Sequence, residues 1–226
     1  MAEATATPRT SQDGRTSSAR AHPHRRRRAD GERTRGTILR EATRLATVVG
    51  LEGLTIGGLA DAIGMSKSGL YAHFGSKEEL QLATIDEAGR VFDDEVIRPA
   101  LAAPAGRAQI VALFDAFFRH LRGRTFPGGC FFAGAVLEMG TRSGPVRDRI
   151  AEFQMTFTRF VRELVVTAIA RGELGPAVDP DGLTFELNGI ILAADAAFVL
   201  RGDPAVLDLA AAVVRSRLTA PEGQRA

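Results

Sequence analysis

Two glycine-serine steps in residues 55–80 constrain the fold more than any other feature of the chain. Gly64 follows a short apolar helical pattern, where a glycine can adopt the left-handed conformation that ends a helix. Ser66, two residues later, can cap the next helix with its hydroxyl group. Gly75 and Ser76 repeat this stop and start. The pattern therefore predicts a short helix, a tight turn and a second short helix, followed directly by a third helix.

Local signals around these steps agree with three consecutive helices. Thr55 is predicted to cap the first helix, and Ser76 with Glu79 has the Ser-x-x-Glu spacing of a capping box. Gly57 and Gly58 weaken the first helix by on the order of 1 kcal/mol each relative to alanine. Either a pliant helix or close packing could explain this pair, and packing is favoured. The inner face of the second helix is predicted to carry Leu70, Tyr71 and Phe74.

Residues 35–82 resemble the DNA-binding domain of the tetracycline-repressor-like (TetR) family. The residues that match the family's pattern are Thr55, Leu59, Ala60, Gly64, Met65, Ser66, Leu70, Tyr71, His73, Phe74, Ser76, Lys77, Glu78 and Leu80. The resemblance implies an all-α fold. It places an N-terminal three-helix helix-turn-helix DNA-binding domain at residues 31–78, and a C-terminal helical ligand-binding and dimerisation bundle at residues 79–220.

Chemistry and resemblance together predict which side chains contact an operator in double-stranded DNA. Hydroxyl groups at helix N-termini and a nearby ammonium group suit phosphate, whereas the first turn of the second helix faces base edges. Tyr71 could instead be a core aromatic residue, and His73 a simple surface histidine. The predicted contacts are Arg35, Thr55, Ser66, Lys67, Ser68, Gly69, Tyr71, His73 and Lys77.

The net positive charge of the chain comes from residues 1–32, which carry seven arginines and four acidic side chains. Residues 33–90 carry seven basic and seven acidic side chains, so DNA attraction there must come from a few placed groups. Residues 1–30 lack apolar periodicity and contain Arg25–Arg28, which predicts a disordered basic tail. This tail is either an arm that contacts DNA or an idle solvated extension.

Helical periodicity continues through the rest of the chain. Residues 33–49 are predicted to form the first helix, and Lys77 is predicted to start a helix that runs to about Arg98 and ends at Pro99. Further helices are predicted at residues 104–121, 130–139, 145–170, 179–200 and 203–218. No strand pattern competes with them, so the second domain is predicted to be a helical bundle.

Phenylalanine is concentrated in the first half of this bundle, where the family resemblance places an effector pocket. A pocket lined by phenylalanine favours an apolar or aromatic small molecule, although an aromatic stripe at helical spacing is more often part of the core. The alternative is a regulator whose C-terminal domain only dimerises and binds no effector. The predicted pocket residues are Phe114, Phe117, Phe118, Leu121, Phe131, Phe132, Met139, Phe153 and Phe157.

The last two helices carry too much apolar surface for one face. The resemblance implies that they form a four-helix bundle with a second subunit, and a homodimer would read a palindromic operator. An intrachain core alone is the alternative. The predicted interface residues are Leu187, Ile190, Ile191, Ala194, Phe198, Leu209 and Val213.

Several function classes are disfavoured by what the sequence lacks. It has no metal-ligand spacing and no catalytic motif, which predicts a protein that is not an enzyme and needs no metal or cofactor. Its N-terminus lacks the apolar segment of a secretory signal, and no apolar run of membrane-spanning length is evident, which predicts a cytoplasmic protein. Cys130, the single cysteine, is either a small buried residue or a redox-sensitive thiol at a helix start.

Overall fold

The computed structural model describes residues 23–219, with side chains from residue 31 onward, and every regular element in that part of the chain is helical. The α-helices in chain order are α1 (Pro23–Val49), α2 (Ile56–Ile63), α3 (Lys67–Phe74), α4 (Lys77–Phe92), α5 (Arg98–Leu101), α6 (Arg107–Arg122), α7 (Phe131–Met139), α8 (Pro145–Ala170), α9 (Pro180–Arg201) and α10 (Ala205–Leu218). We call residues 35–76 the head and residues 77–219 the regulatory domain. The predicted all-α architecture is confirmed.

Helix α1 begins earlier than the sequence analysis predicted. It starts at Pro23, ten residues before the expected start at Arg33, so residues 23–30 of the predicted disordered tail are helical. Proline is favourable in the first helical turn, and the arginines that follow are good helix formers, which explains the earlier start. The predicted disorder of residues 1–22 lies outside the described residues.

Pro99 does not end the helix that begins at Lys77. A π-helical segment, Asp93–Ile97, joins α4 to α5, and the Arg98 N–H donates to the Asp93 carbonyl. A proline inside an α-helix removes one hydrogen bond and presses on the carbonyl four residues earlier. The wider π turn directly before Pro99 gives that carbonyl room, so the helical path continues to Leu101.

One continuous apolar core holds the elements of residues 35–219 together. Within the regulatory domain α6 packs against α8 and α10, and α9 packs against both α8 and α10. Helix α4 packs against α3 on one side and α8 on the other. The helix that follows the helix-turn-helix is therefore built into the regulatory domain.

Candidate nucleic-acid interface

The helix-turn-helix is held in shape by caps that its own sequence supplies. The Thr55 hydroxyl accepts from the Gly58 N–H at 3.0 Å, and the Ser66 hydroxyl accepts from the Gly69 N–H at 3.1 Å. Gly64 is left-handed, with a φ of 68°, as a helix end requires. The predicted turn and both caps are confirmed.

The third cap is only half of the predicted capping box. Ser76 accepts from the Glu79 N–H at 3.1 Å, as expected. The Ser76 N–H, however, donates to the Phe74 carbonyl at 2.6 Å, so its partner is backbone and not the Glu79 side chain. The tight turn at Gly75 brings that carbonyl within reach.

Helix α3 presents a polar and aromatic outer face over a buried inner face. Leu70 and Phe74 are buried, but Tyr71 is 55% exposed, so its predicted place on the inner face is wrong. Adjacent positions on a helix differ by about 100° in direction, and Leu70 already occupies the inward one. The exposed phenol is available to a partner molecule.

Lys67, at the N-terminus of α3, lies across α2. A Cβ atom at Gly57 would be 3.4 Å from the Lys67 Cε and 3.5 Å from its Nζ. These are ordinary van der Waals distances, so the space beside this lysine does not by itself require glycine at position 57. The Lys67 side chain is exposed, and Ser66 and Ser68 beside it are exposed as well.

Arg35 is tied to α3 and is not extended toward solvent. Its Nη1 donates to the His73 carbonyl at 2.7 Å, and its guanidinium lies 4.5 Å from the centre of the Phe74 ring. These contacts fix α1 against the C-terminal end of α3. Arg35 therefore holds α3 in place, and any phosphate contact must use its remaining N–H groups.

Lys77, the first residue of α4, is paired with Glu52 of the head in this structure. Its Nζ donates to the Glu52 carbonyl at 2.6 Å and to the Glu52 carboxylate at 2.8 Å. The Lys77 ammonium lowers the pKa of Glu52 through this hydrogen bond and through its charge, and Arg142 adds a smaller effect. The pair is exposed to solvent, which screens its charges, so a phosphate group could displace the Glu52 carboxylate at low cost.

The predicted pocket residues form the packed interior of the regulatory domain. All of them are buried except Phe153, which is half-buried. The rings of Phe132 and Phe153 stack with centres 3.3 Å apart and planes 3° apart, and Phe92 packs edge-on against both. Phe92, on α4, was not among the predicted pocket residues, all of which lie on later helices.

A separate open cleft of about 340 Å³ lies between the head and the regulatory domain. Its walls come from α1, the end of α4, the π-helical segment and the loop before α7. Eight of its ten lining residues are charged or polar. The lining residues are Arg40, Glu41, Thr43, Arg44, Arg90, Val91, Asp94, Glu95, Thr125 and Phe126.

Buried polar groups connect distant elements of the regulatory domain. The His120 Nδ1 and the Glu95 Oε2 are 2.6 Å apart, and the Asp195 carboxylate accepts from the Cys130 N–H at 2.7 Å. Burial raises the pKa of Asp195 to about 6, although this N–H and His120 both act to lower it. These partners lie 25 and 65 positions apart, so sequence periodicity did not reveal them.

Cys130 caps α7 but is not an activated thiol. Burial, followed by the charge of Asp195, raises its pKa to about 12, and the opposing hydrogen bonds from the Phe132 and Ala133 N–H groups are weaker. Because the thiolate is the reactive form, the redox interpretation of Cys130 is wrong for this structure. The alternative, a small buried residue, agrees with its 5% exposure.

Helices α9 and α10 divide their apolar residues between two faces. Leu187, Ile191, Ala194 and Phe198 are buried within the chain, which leaves them little surface for contact with a second subunit. Ile190 is half-buried. Leu209 and Val213 are exposed, as an interface requires, and α9 carries a further exposed apolar set that was not predicted. That set is Phe185, Leu192, Val199 and Leu200.

By length and composition α9 could also cross a membrane, with 22 residues and a mean hydropathy of 1.6. It is the one such helix among the described residues, and it departs from the prediction that no apolar run is long enough. One such helix is weak evidence, because core helices of globular proteins meet the same test. Its packing against α8 and α10 identifies it as a bundle helix.

Together these elements define a helix-turn-helix protein with a helical second domain. The sequence profile of the bacterial regulatory proteins of the tetR family matches residues 38–84, and that of the tetracyclin repressor-like C-terminal domain matches residues 106–214. The chain belongs to the TetR family of transcriptional regulators. This is a family of DNA-binding regulators and not of enzymes. No cluster of potential metal ligands occurs in the part of the chain that the structure describes.

Known proteins with similar sequences or folds include other regulators of this family. The HTH-type transcriptional repressor ComR of Escherichia coli K12 is 26% identical over 167 residues, which cover 70% of this chain and 75% of ComR. A TetR regulator from Chloroflexus aurantiacus J-10-fl is 28% identical, with a TM-score of 0.76 and coverage of 84% and 96% of the two chains. SCO4454 from Streptomyces coelicolor is 27% identical, with a TM-score of 0.70 and coverage of 82% and 93%.

Proposed function

We propose that this regulator binds a palindromic operator as a homodimer, represses transcription from it, and is released by an apolar or aromatic effector. The observation that carries the DNA-binding part is the exposed face of α3. Ser66, Lys67, Ser68 and Tyr71 are all exposed there above buried Leu70. A short helix with a polar N-terminus on a firm apolar base suits insertion into the major groove. Such a DNA-binding regulator acts in the cytoplasm.

The capping hydroxyls can serve the protein and DNA together. Thr55 and Ser66 use oxygen lone pairs to accept backbone N–H groups, and each retains an O–H that can donate to a phosphate. Lys67 is proposed to contact base edges, with Ser68 and Gly69 beside it. Tyr71, His73, Lys77 and the remaining N–H groups of Arg35 are proposed to contact the backbone.

Two lysine substitutions separate base recognition from phosphate binding. Lys67→Ala is expected to change the preference among operator variants. Lys77→Ala is expected to lower the affinity for all duplexes alike and to reduce the slope of log affinity against log salt concentration by about 1. Fluorescence anisotropy with labelled duplexes at several salt concentrations measures both effects. A uniform loss for Lys67→Ala would refute its role in base recognition.

Glu52→Gln supplies a matched control for the Lys77 proposal. It removes the carboxylate that pairs with Lys77 in this structure, and it leaves the lysine in place. If Lys77 binds phosphate, Glu52→Gln is expected to strengthen binding while Lys77→Ala weakens it. Unchanged affinity for both proteins would eliminate the phosphate role of Lys77.

The dimer proposal rests on the exposed apolar set of α9 and α10. The wild-type dimer is expected to have twice the 24.1 kDa mass of one chain. Leu192→Glu is expected to convert it into monomers, because it places a charge in the proposed interface. Met155→Glu on α8 is the matched control, since Met155 is also exposed but lies outside the set. Light scattering after gel filtration distinguishes the two variants. A wild-type monomer at micromolar concentration would contradict the proposal.

The effector proposal rests on the aromatic interior of the regulatory domain. Solved proteins of this fold include AibR in complex with isovaleryl coenzyme A and operator DNA, at 24% identity, and a regulator in complex with choline, at 19%. The stacked rings of Phe132 and Phe153 occupy the centre of the proposed site, so a ligand must displace the half-buried Phe153. This close stacking favours the alternative, a regulatory domain that only dimerises.

Operator release distinguishes the two possibilities. A panel of aromatic and branched-chain acyl compounds is titrated against the protein–operator complex, with choline as a cationic comparison. Phe153→Ala opens space beside Phe132 and is expected to increase the affinity for compounds that release the wild-type protein. Failure of every compound to release either protein would favour the effector-independent alternative.

A further inference from the structure

A carboxylate of the regulatory domain holds the turn that joins α1 to α2 in the head. Glu138, near the end of α7, accepts the Leu51 N–H with its Oε2 at 2.8 Å and the Glu52 N–H with its Oε1 at 2.8 Å. The partners are 87 and 86 positions apart in sequence. The two oxygens of one carboxylate therefore accept hydrogen bonds from two successive backbone N–H groups. Hydrogen bonds to a charged acceptor are shorter and stronger than neutral ones.

The turn is shaped to receive this side chain. Gly50 has a φ of 79°, which few other residues tolerate, and a Cβ atom there would lie 2.8 Å from the Glu138 Oε1. The Leu51 carbonyl accepts from the Gln81 Nε2 at 2.7 Å, so α4 binds the same residue from the other direction. The turn is thus fixed from α7 and α4 together.

A second contact joins the same two regions one turn earlier on α1. The Gly128 N–H donates to the Thr47 hydroxyl at 3.2 Å, and Arg44 donates to the Thr125 carbonyl at 3.1 Å. A Cβ atom at Gly128 would overlap the Thr47 carbonyl, so only glycine fits. Two residues later the Cys130 N–H binds Asp195 on α9. The loop before α7 therefore connects α9 with α1.

Helix α7 provides a rigid base for Glu138. Its Phe131, Phe132 and Met139 are buried in the aromatic interior of the regulatory domain. Glu138 projects from this anchored helix at a half-buried position. The Glu138 carboxylate therefore ties the turn between α1 and α2 to the anchored helix α7.

The geometry points to Glu138 as a positioning residue that fixes the orientation of the head and thereby the distance between the two heads of a dimer. This inference rests on the proposed function. A fixed distance favours operators whose half-sites have one spacing, since any other spacing requires the heads to move. Without the Glu138 contacts each head is expected to reorient more easily, while its own surface for a single half-site stays the same.

Glu138→Gln tests the inference because it preserves size but removes the charge and one of the two acceptor oxygens. Glu152→Gln on α8 is the matched control, since Glu152 is exposed and makes only a surface ion pair with Arg149. Amide hydrogen exchange is measured at Leu51 and Glu52. Binding is measured on a palindromic duplex that the wild-type protein selects from random DNA, on spacing variants of it, and on a single half-site.

The expected result for Glu138→Gln has three parts. Amide exchange at Leu51 and Glu52 becomes about tenfold faster or more, and affinity for the single half-site stays within about twofold of the wild-type value. The loss of affinity that the wild-type protein shows on duplexes with altered half-site spacing, which is the spacing penalty, becomes about tenfold smaller. Glu152→Gln matches the wild-type protein throughout. Unchanged exchange or an unchanged spacing penalty would overturn the inference.

Two other outcomes are equally decisive. An equal loss of affinity on the single half-site would show that Glu138 only supports folding of the head, and it would overturn the positioning role. Absence of DNA binding by the wild-type protein would refute the proposed function instead. In that case the exchange measurement would still confirm or refute the contact of Glu138 with the turn.

Discussion

The head and the regulatory domain use polar side chains in different ways. In the head, Thr55, Ser66 and Ser76 each accept the backbone N–H three residues ahead and remain exposed. In the regulatory domain, Asp195 and Glu138 reach backbone donors 65 and 87 positions away. Local contacts leave the outer face of the head open to a partner molecule. The Asp195 contact joins α9 to the loop before α7, and the Glu138 contact joins α7 to the head.

The largest expected effects come from matched core truncations in the two regions. Phe74→Ala and Phe117→Ala each remove a ring that is at most 2% exposed, and each is expected to lower the free energy of unfolding by about 3–5 kcal/mol. If the head depends mainly on local contacts, Phe74→Ala abolishes DNA binding and leaves the dimer intact. Denaturant unfolding, anisotropy and light scattering measure the three quantities. Loss of the dimer in Phe74→Ala would show that both regions unfold as one unit.

An intermediate effect is expected from the buried carboxylate of Asp195. Folding raises the pKa of Asp195 from 3.8 to about 6, so the folded protein retains a proton that the unfolded chain releases between these values. The free energy of unfolding therefore falls as the pH rises through this window. Asp195→Asn is expected to remove that dependence and to stabilise the protein at pH 8 by at most about 3 kcal/mol.

Thermal unfolding of Asp195→Asn at pH 4 and pH 8 measures this effect. Asp208→Asn is the matched control, because its carboxylate is 69% exposed and pairs with Arg122 at the surface. The control is expected to follow the wild-type protein at both pH values. If thermal stability changed equally between pH 4 and pH 8 in the two variants, a special effect of burial at Asp195 would be contradicted.

The smallest effect is expected from a cap in the head. Ser66→Ala removes the acceptor for the Gly69 N–H and is expected to cost about 1 kcal/mol of stability. Ser68→Ala is the control, since Ser68 is exposed and its hydroxyl contacts only the Ser66 hydroxyl, at 3.3 Å. Chemical denaturation compares them. Equal stability of the two variants would mean that the cap contributes nothing to the head.

The same contrast explains how much of the molecule was predictable. Caps and stops depend on neighbours in sequence, so Gly64 and Ser66 identified the helix-turn-helix correctly. Helix α8 was predicted with its observed bounds, Pro145–Ala170, because a long apolar period is a strong signal. Sequence patterns gave no indication that Glu138 contacts the head or that Asp195 contacts the loop before α7, since these partners are brought close only by the fold.

The errors have equally physical causes. Pro99 was taken as a helix end because α-helical geometry excludes it, but a π turn removes the conflict. Leu187 and Phe198 were assigned to an interface because sequence alone does not show which apolar stripe of α9 faces α8 and α10. The family resemblance implied such an interface, and exposure in the folded chain is needed to choose its residues.

The exposed position of Tyr71 gives the protein a built-in optical probe. The chain contains one tyrosine and no tryptophan, so its tyrosine emission comes from a single site. That site is the outer face of α3. A bound duplex would change the surroundings of this phenol, and the resulting change in intrinsic fluorescence would report operator binding in the unlabelled wild-type protein.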